Sequence, residues 1–334
     1  MPIPIDLPTI WAFIIAFAIF AYVVMDGFDL GIGILFPAFE DRERDQAMNS
    51  IAPVWDGNET WLVLGGGGLM AAFPLAYGVI FSALYTPIVA MLLALVFRGV
   101  AFEFRWRNPN HRKYWDAAFI LGSIVAALMQ GITLGGLLQG IAVNGRAYGG
   151  GWWDWLTPFS VAVGVALVCG YALLGATWLI MKSEGTLHDI ASALALRLGL
   201  ATILAIGVVS AWTPFLAAEY YHRWFARPQV LFTAQVPLLV AVASVAFFFA
   251  LRRGSIYWPF LIALALFALG LAGLGISLYP YVVPRSITIW DAAAPHQSLS
   301  FMLVGAAIMI PIILTYTGYA YWVFRGKIRP EGYH

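Results

Sequence analysis

Long apolar runs recur along the whole chain and constrain its fold more than any other feature. Hydrophobic residues make up 62% of the 334 residues and charged residues only 10%, well below the roughly 25% charged residues typical of soluble domains. Because so few charges cannot cover a water-exposed surface, lipid must cover much of it. A membrane-crossing helix needs about 20 mostly apolar residues. We therefore predict an all-α polytopic membrane protein with about nine transmembrane helices. The predicted helices cover residues 8–36, 52–73, 78–101, 116–138, 158–181, 191–213, 231–251, 257–279 and 299–324.

The basic residues are distributed unevenly between the two sets of loops that nine spans would create. Lys and Arg are enriched in the cytoplasmic loops of membrane proteins. Most of them fall in one set, few fall in the other, and Arg98 lies inside the third span. We therefore predict that the N-terminus lies outside and the C-terminus lies in the cytoplasm. The larger set comprises Arg42, Arg44, Arg105, Arg107, Arg112, Lys113, Lys182, Arg197, Arg252, Arg253, Arg325, Lys327 and Arg329, and the smaller set comprises Arg146, Arg223, Arg227 and Arg285.

The whole chain, residues 1–334, is predicted to form a single membrane domain, because its longest loop covers only about residues 139–157. Tyr22 in the first span and Tyr171 in the fifth each follow a small residue at a similar depth. This repeat predicts two four-helix bundles plus one extra helix. Residues 1–6 lack the basic stretch of a cleavable signal peptide, so we expect the first apolar run to be retained.

Several classes of function are disfavoured by composition. A net charge of +1 argues against a nucleic-acid partner, which requires a basic face. A single cysteine, Cys169, excludes a disulfide within the chain and a cysteine-based cluster. A membrane haem b needs axial His or Met ligands, and a lone Met in a span usually serves packing. We predict no haem ligand and no metal site in this chain, because all histidines are expected outside the spans. These are His111, His188, His222, His296 and His334.

Five charged residues lie within or at the ends of the first three predicted spans: Asp26, Asp29, Asp56, Glu59 and Arg98. Each costs roughly 2.5–3.5 kcal/mol to insert, and such residues usually face protein or a water-filled cavity. Counting about 1.5 Å per residue along the spans brings all five to one level near the cytoplasmic side. We therefore predict one polar cluster of four carboxylates and one guanidinium. The cluster is either a structural ion-pair network or a proton or ion path from the cytoplasm, and its excess of negative charge favours the path.

Four consecutive glycines, residues 65–68, lie inside the second predicted span. No basic residue follows at the position that a phosphate-binding loop would require. Small residues allow helices to approach closely in lipid. The run therefore indicates close helix packing, with a passage for a small molecule as the alternative.

Three segments resemble a known family. Residues 25–33 (MDGFDLGIG), 49–62 (NSIAPVWDGNETWL) and 97–105 (FRGVAFEFR) are similar to the motifs of the first three helices in subunit II of cytochrome bd-type quinol oxidases. The later spans resemble the family in hydropathy and spacing. The short chain resembles the cyanide-insensitive branch of this family.

The resemblance implies a subunit of an oxidase that oxidises a quinol such as ubiquinol, reduces O2 to water and takes protons from the cytoplasm. It implies that subunit I carries two b-type haems and haem d, and that this chain carries no catalytic residue. The position matching Asp56 is implicated in a proton path and that matching Trp61 in an O2 path. Asp26, Asp29 and Arg98 match signature positions.

The resemblance also implies a heterodimer with subunit I in the bacterial cytoplasmic (inner) membrane, in contact with lipid and quinol. A small third subunit and a bound ubiquinone belong to the same expectation. Two other interpretations stay open at this point. The chain could be a stand-alone proton- or ion-coupled transporter, although it lacks a clear pair of interrupted helices, or a purely structural scaffold for subunit I.

Overall fold

The computed structural model describes residues 6–328, without the side chain of Pro109, and this part of the chain is almost entirely helical. Two short antiparallel hairpins join helices: β1 (Val143–Asn144) pairs with β2 (Ala147–Tyr148), and β3 (Tyr281–Val283) pairs with β4 (Ile287–Thr288). The helices are α1 (Leu7–Leu35), α2 (Asp41–Asn49), α3 (Trp55–Ala72), α4 (Pro74–Ala83), α5 (Tyr85–Arg107), α6 (Arg112–Gln139), α7 (Pro158–Lys182), α8 (Gly185–Trp212), α9 (Ala218–Phe225), α10 (Val230–Thr233), α11 (Gln235–Arg252), α12 (Trp258–Leu278) and α13 (His296–Val323).

Within residues 6–328, eight helical segments are long and apolar enough to cross a membrane. Helices α3 and α4 pass the same test only as a pair, and they are bent by 120° relative to each other. The structure thus has eight spans, or nine if the bent pair counts as one. The predicted all-α, polytopic membrane architecture is confirmed.

The predicted bounds of the second and third spans are wrong. A continuous helix was expected to end at residue 73 and the next to begin at residue 78, but α4 occupies Pro74–Ala83 and α5 begins only at Tyr85. Proline disfavours helical geometry in the residue before it, and Phe73 has φ −131° and ψ 61°. The chain therefore turns sharply at Phe73, and hydropathy alone did not reveal the turn.

Helix α8 begins at Gly185, earlier than predicted, and this changes the setting of two side chains. His188 lies in its first turn although it was expected outside the spans, and Arg197, which was counted with the loops although it falls within the predicted span 191–213, lies in its middle. His296 is likewise the first residue of α13. The expectation is wrong for these two histidines, because α8 and α13 extend beyond their apolar cores, whereas His222 lies in the short helix α9, outside the spans. Residues 1–5, Arg329 and His334 lie outside the described residues.

Helix α1 is the centre of the packing, because it contacts α3, α6 and α7, while α7 also packs on α6, α8 and α12. Glycines allow the closest of these approaches. A Cβ atom added to Gly31 would lie 1.9 Å from the carbonyl oxygen of Tyr171, and one added to Gly175 would lie 2.6 Å from the carbonyl carbon of Gly31. The backbones of α1 and α7 are therefore in direct contact, an arrangement that only small residues permit.

The N-terminal end of α1 is held beside the start of α13. Asp6 accepts hydrogen bonds from the backbone N–H of Thr9 at 2.9 Å and from Nε1 of Trp290 at 2.8 Å. These hydrogen bonds lower the pKa of the Asp6 carboxyl, and those from Thr9 have the largest effect. Trp11 Nε1 donates to the carbonyl oxygen of Leu299 at 3.1 Å. Helix α13 is thus held against α1 at its N-terminal end.

Candidate functional site

Helices α1, α3 and α5 bring four of the five predicted charges together. Arg98 on α5 lies at the centre. Its Nη2 atom is 3.0 Å from Oδ1 of Asp26 and 3.8 Å from Oδ2 of Asp29, and its Nη1 atom is 2.5 Å from Oε1 of Glu59. We call Asp26, Asp29, Glu59 and Arg98 the charged cluster. Arg98 lies about 14 Å from the C-terminal end of α5. The charged cluster is therefore farther from the end of this helix than the sequence predicted, because α5 begins and ends later than the predicted span.

The charged cluster is almost completely enclosed. The side chains of Asp26, Asp29 and Arg98 are 0% exposed, whereas that of Glu59 is 28% exposed. The guanidinium of Arg98 also lies over the ring of Trp55, 5.2 Å from its centroid. Three carboxyl groups face one cation, so full ionisation would leave an excess of negative charge in a buried place. Glu59 is the only one of the four whose side chain reaches the surface.

Asp56 does not join the charged cluster, and the prediction of four carboxylates around Arg98 is wrong in this respect. Helix α3 buries a stripe of residues at three- and four-residue spacing that includes Asn58 and Trp61. Asp56 lies off this stripe and is exposed. Its carboxylate forms no ion pair within residues 6–328. It lies one turn before Glu59, between the solvent-exposed start of α3 and the charged cluster.

Two polar partners of the charged cluster were missed. Asn58 donates from Nδ2 to Oδ2 of Asp29 at 2.7 Å and to the carbonyl oxygen of Met25 at 3.3 Å. Tyr321 on α13 donates from its hydroxyl to Oδ1 of Asn58 at 2.9 Å. Asn58 lies inside a motif and could have been included. Tyr321 is 263 residues away and carries no local signal.

Trp61, the predicted O2-path residue, is buried between α3 and α1. Its ring is 1% exposed and packs edge-on against Phe17, with 5.6 Å between ring centroids. Ala18, Ala21 and Tyr22 form the rest of this apolar group. Tyr22 is one turn before Asp26, so the apolar group adjoins the charged cluster.

Close packing explains two of the four consecutive glycines. A Cβ atom on Gly65 would lie 3.1 Å from Ile19, and one on Gly68 would lie 3.2 Å from Ile15. Gly66 and Gly67 face away from α1, and a Cβ atom there would meet no atom within 4 Å. Gly65 and Gly68 therefore let α3 lie against α1.

A second buried ion network, which sequence reasoning also missed, joins α2, α5 and α6. Arg105 is 0% exposed and donates to Asp45 at 2.6 Å and to Asp116. Asp116 also accepts from Arg44 at 3.1 Å, and Asp45 also pairs with Arg112. The signal for it lay in charges at the ends of three helices, which hydropathy assigns to loops.

Metal centres in proteins are held by grouped His, Cys, Asp or Glu side chains. Within residues 6–328, no three of these side chains are grouped so that they could hold a metal ion. Cys169 is a free thiol. In this part of the chain the donor set therefore does not fit a metal centre.

The fold and the site together define a class: a polytopic membrane subunit with a buried arginine–carboxylate cluster that reaches the surface through one glutamate. Residues 7–324 match the family described as cytochrome bd terminal oxidase subunit II. The chain therefore belongs to that family. Membership implies haem cofactors in the complex and a complex with subunit I. It favours an oxidase subunit over a stand-alone transporter.

Named relatives span almost the full chain. The chain is 31% identical to cytochrome bd-I ubiquinol oxidase subunit 2 of Escherichia coli strain K12, over 96% of this chain and 95% of that protein. It is 28% identical to cytochrome bd ubiquinol oxidase subunit 2 of Bacillus subtilis strain 168, over 97% of each. Its fold resembles the bd oxidase from Geobacillus thermodenitrificans, with a TM-score of 0.79, 19% identity and coverage of 95% of this chain and 98% of that chain.

Proposed function

We propose that this chain, as the non-haem subunit II of a cytochrome bd-type quinol oxidase, conducts protons from the cytoplasm through the charged cluster. Asp56 collects protons at the start of α3, Glu59 receives them, and Asp26 and Asp29 hold them beside Arg98. The observation that supports this best is the position of Glu59. It is partly exposed, one turn from Asp56, and 2.5 Å from a fully buried guanidinium.

The excess of carboxyl groups over cations gives the cluster its capacity for protons. Removing a charge from water costs several kcal/mol even after relaxation. A buried site with three carboxyl groups and one guanidinium is therefore most stable when it retains protons. Carboxyl groups in such a site exchange protons in response to small changes in the surrounding charge.

The remaining parts of the proposal concern the complex. Subunit I would hold two b-type haems and haem d, oxidise ubiquinol and reduce O2 to water, with O2 passing near Trp61. The complex would lie in the bacterial inner membrane, with the N-terminus of this chain outside and its C-terminus in the cytoplasm. Lipid, a bound ubiquinone and a small third subunit would complete it. The uneven distribution of Lys and Arg supports the orientation.

The test of the proton path uses Asp56→Asn and Glu59→Gln in the intact complex in liposomes. We expect each to lower quinol-dependent O2 consumption by roughly tenfold or more, because a proton-transfer group contributes at least that much. Haem content, read from the visible spectrum, and subunit stoichiometry should stay unchanged. Glu103→Gln is the matched control, because Glu103 is 53% exposed and, among the described residues, forms an ion pair only with Arg107 at 3.8 Å.

Wild-type turnover in assembled Asp56→Asn and Glu59→Gln complexes would rule out the proton path. Loss of assembly in both, without a turnover defect in the complexes that do form, would instead indicate a structural ion-pair network. A colourless protein that purifies without a partner and transports ions in liposomes would contradict the oxidase function as a whole.

A further inference from the structure

Helix α13 lies at the edge of the molecule, yet its last turns are joined to the charged cluster. Leu299 is the only buried residue of this helix. Helix α13 mainly contacts α1 and α3. Near its inner end, Tyr321 donates a hydrogen bond to Asn58, with 2.9 Å between the oxygen atoms. One hydroxyl therefore links an otherwise peripheral helix to the buried charges.

Two contacts set which way the Asn58 amide faces: the hydroxyl of Tyr321 and the carbonyl oxygen of Met25. An amide oxygen accepts hydrogen bonds and an amide nitrogen donates them. The oxygen of Asn58 is occupied by Tyr321, so its nitrogen faces Asp29 at 2.7 Å and the carbonyl oxygen of Met25 at 3.3 Å. The oxygen of Asp29 that meets Asn58 therefore accepts a hydrogen bond, and donation to a carboxylate favours its ionised form.

Tyr321 is itself held in place. Its ring packs edge-on against Trp178, with 6.2 Å between centroids and 83° between ring planes, and Trp178 Nε1 donates to Ser50 at 3.2 Å. The ammonium group of Lys182 donates to carbonyl oxygens just beyond α13, including that of Gly326 at 3.2 Å. The inner end of α13 is thus fixed to α7, and the hydroxyl of Tyr321 has little freedom to leave Asn58.

We infer that Tyr321 is a positioning residue for the charged cluster, which acts through Asn58 to favour the ionised form of Asp29 and so helps Asp29 to release its proton. Without the hydroxyl, only the carbonyl oxygen of Met25 orients the amide of Asn58, and the hydrogen bond from this amide to Asp29 weakens. Asp29 would then be protonated for more of the time. The effect on turnover rests on the proposed proton path, but the hydrogen-bond arrangement does not.

The test compares Tyr321→Phe with Tyr319→Phe in the purified intact complex. Tyr319 is on the same helix and 62% exposed, so it is a matched control. The readout is the infrared C=O stretching band of protonated carboxyl groups, recorded with quinol oxidase turnover. We expect Tyr321→Phe to show a stronger band than the wild type, and the added change Asp29→Asn to remove the increase. Turnover should fall about threefold to tenfold, the effect of one lost hydrogen bond. Tyr319→Phe should match the wild type.

A purely structural role for Tyr321 would loosen α13 without increasing the protonation of Asp29. The absence of an Asp29-dependent increase in the band of Tyr321→Phe would therefore overturn the inference, whatever the turnover. Asn58→Leu provides a second variant, because removal of the amide should produce the same increase. If the increase appears while Asp56→Asn and Glu59→Gln retain full turnover, the positioning role stands and the proton path fails.

Discussion

At the scale of single residues, Arg98 shows how this chain tolerates charge inside its helices. The guanidinium is 0% exposed and contacts carboxylates from both α1 and α3. Breaking a buried ion pair from one side costs more than the pair contributes when intact, because the remaining charge stays buried without compensation. Arg98 is therefore the residue on which the cluster depends most.

Arg98→Met should destabilise the protein by about 3–5 kcal/mol, since the three carboxyl groups lose their cation. The midpoint of thermal unfolding in detergent measures this loss. The control is Arg107→Met, whose side chain is 77% exposed and whose ion pair with Glu103 spans 3.8 Å. Equal midpoints for Arg98→Met and Arg107→Met would mean that the charged cluster does not stabilise the fold.

At the scale of helices, backbone contact between α1 and α7 sets the position of the charged cluster relative to the second half of the chain. The contact occurs where Gly31 meets Gly175, and Gly31 lies five residues beyond Asp26 and two beyond Asp29 on α1. Dispersion forces between closely packed backbones are a main source of helix association in lipid. Added volume at this crossing must separate the helices.

Gly175→Ala should destabilise the protein by about 1–3 kcal/mol, the usual cost of overpacking, because its Cβ atom would lie 2.6 Å from the backbone of Gly31. Gly67→Ala is the control, since a Cβ atom there meets nothing within 4 Å and alanine favours helix. Thermal unfolding of both variants in detergent measures the difference. A Gly175→Ala variant as stable as Gly67→Ala would show that α1 and α7 are not in contact in the membrane.

At the scale of the whole molecule, two buried ion networks hold different groups of helices. The charged cluster joins α1, α3 and α5, and the Arg105 network joins α2, α5 and α6. Helix α5 belongs to both. The first half of the chain is therefore held by charge as well as by apolar packing, while α13 is attached by a few hydrogen bonds.

Asp116→Asn should destabilise the protein by about 3 kcal/mol, because Arg105 and Arg44 lose a shared buried carboxylate. Asp41→Asn is the matched control: Asp41 pairs with the same Arg44 at 3.7 Å but is 80% exposed, and an exposed pair contributes about 0–1 kcal/mol. Unfolding midpoints in detergent again give the comparison. Similar losses for both variants would contradict a structural role for the Arg105 network.

Most members of the charged cluster could be predicted from the sequence. Asp26, Asp29, Glu59 and Arg98 stand out because a charge within an apolar run is costly and therefore informative. Asp56 was placed in the cluster by its three-residue spacing from Glu59, but spacing does not tell which face of α3 is buried. Tyr321 was missed because nothing in its own neighbourhood differs from an interfacial aromatic residue.

The number of apolar runs, their helical nature and the scarcity of surface charge were determined by the sequence itself, because the cost of leaving a peptide group unpaired in lipid acts locally on every segment. The sharp turn at Phe73, the crossing of α1 and α7 at Gly31, and the pairing of Asn58 with Tyr321 were decided only by the tertiary structure. Each depends on which faces of separate helices meet, and that outcome reflects packing across the whole molecule rather than the properties of any one segment.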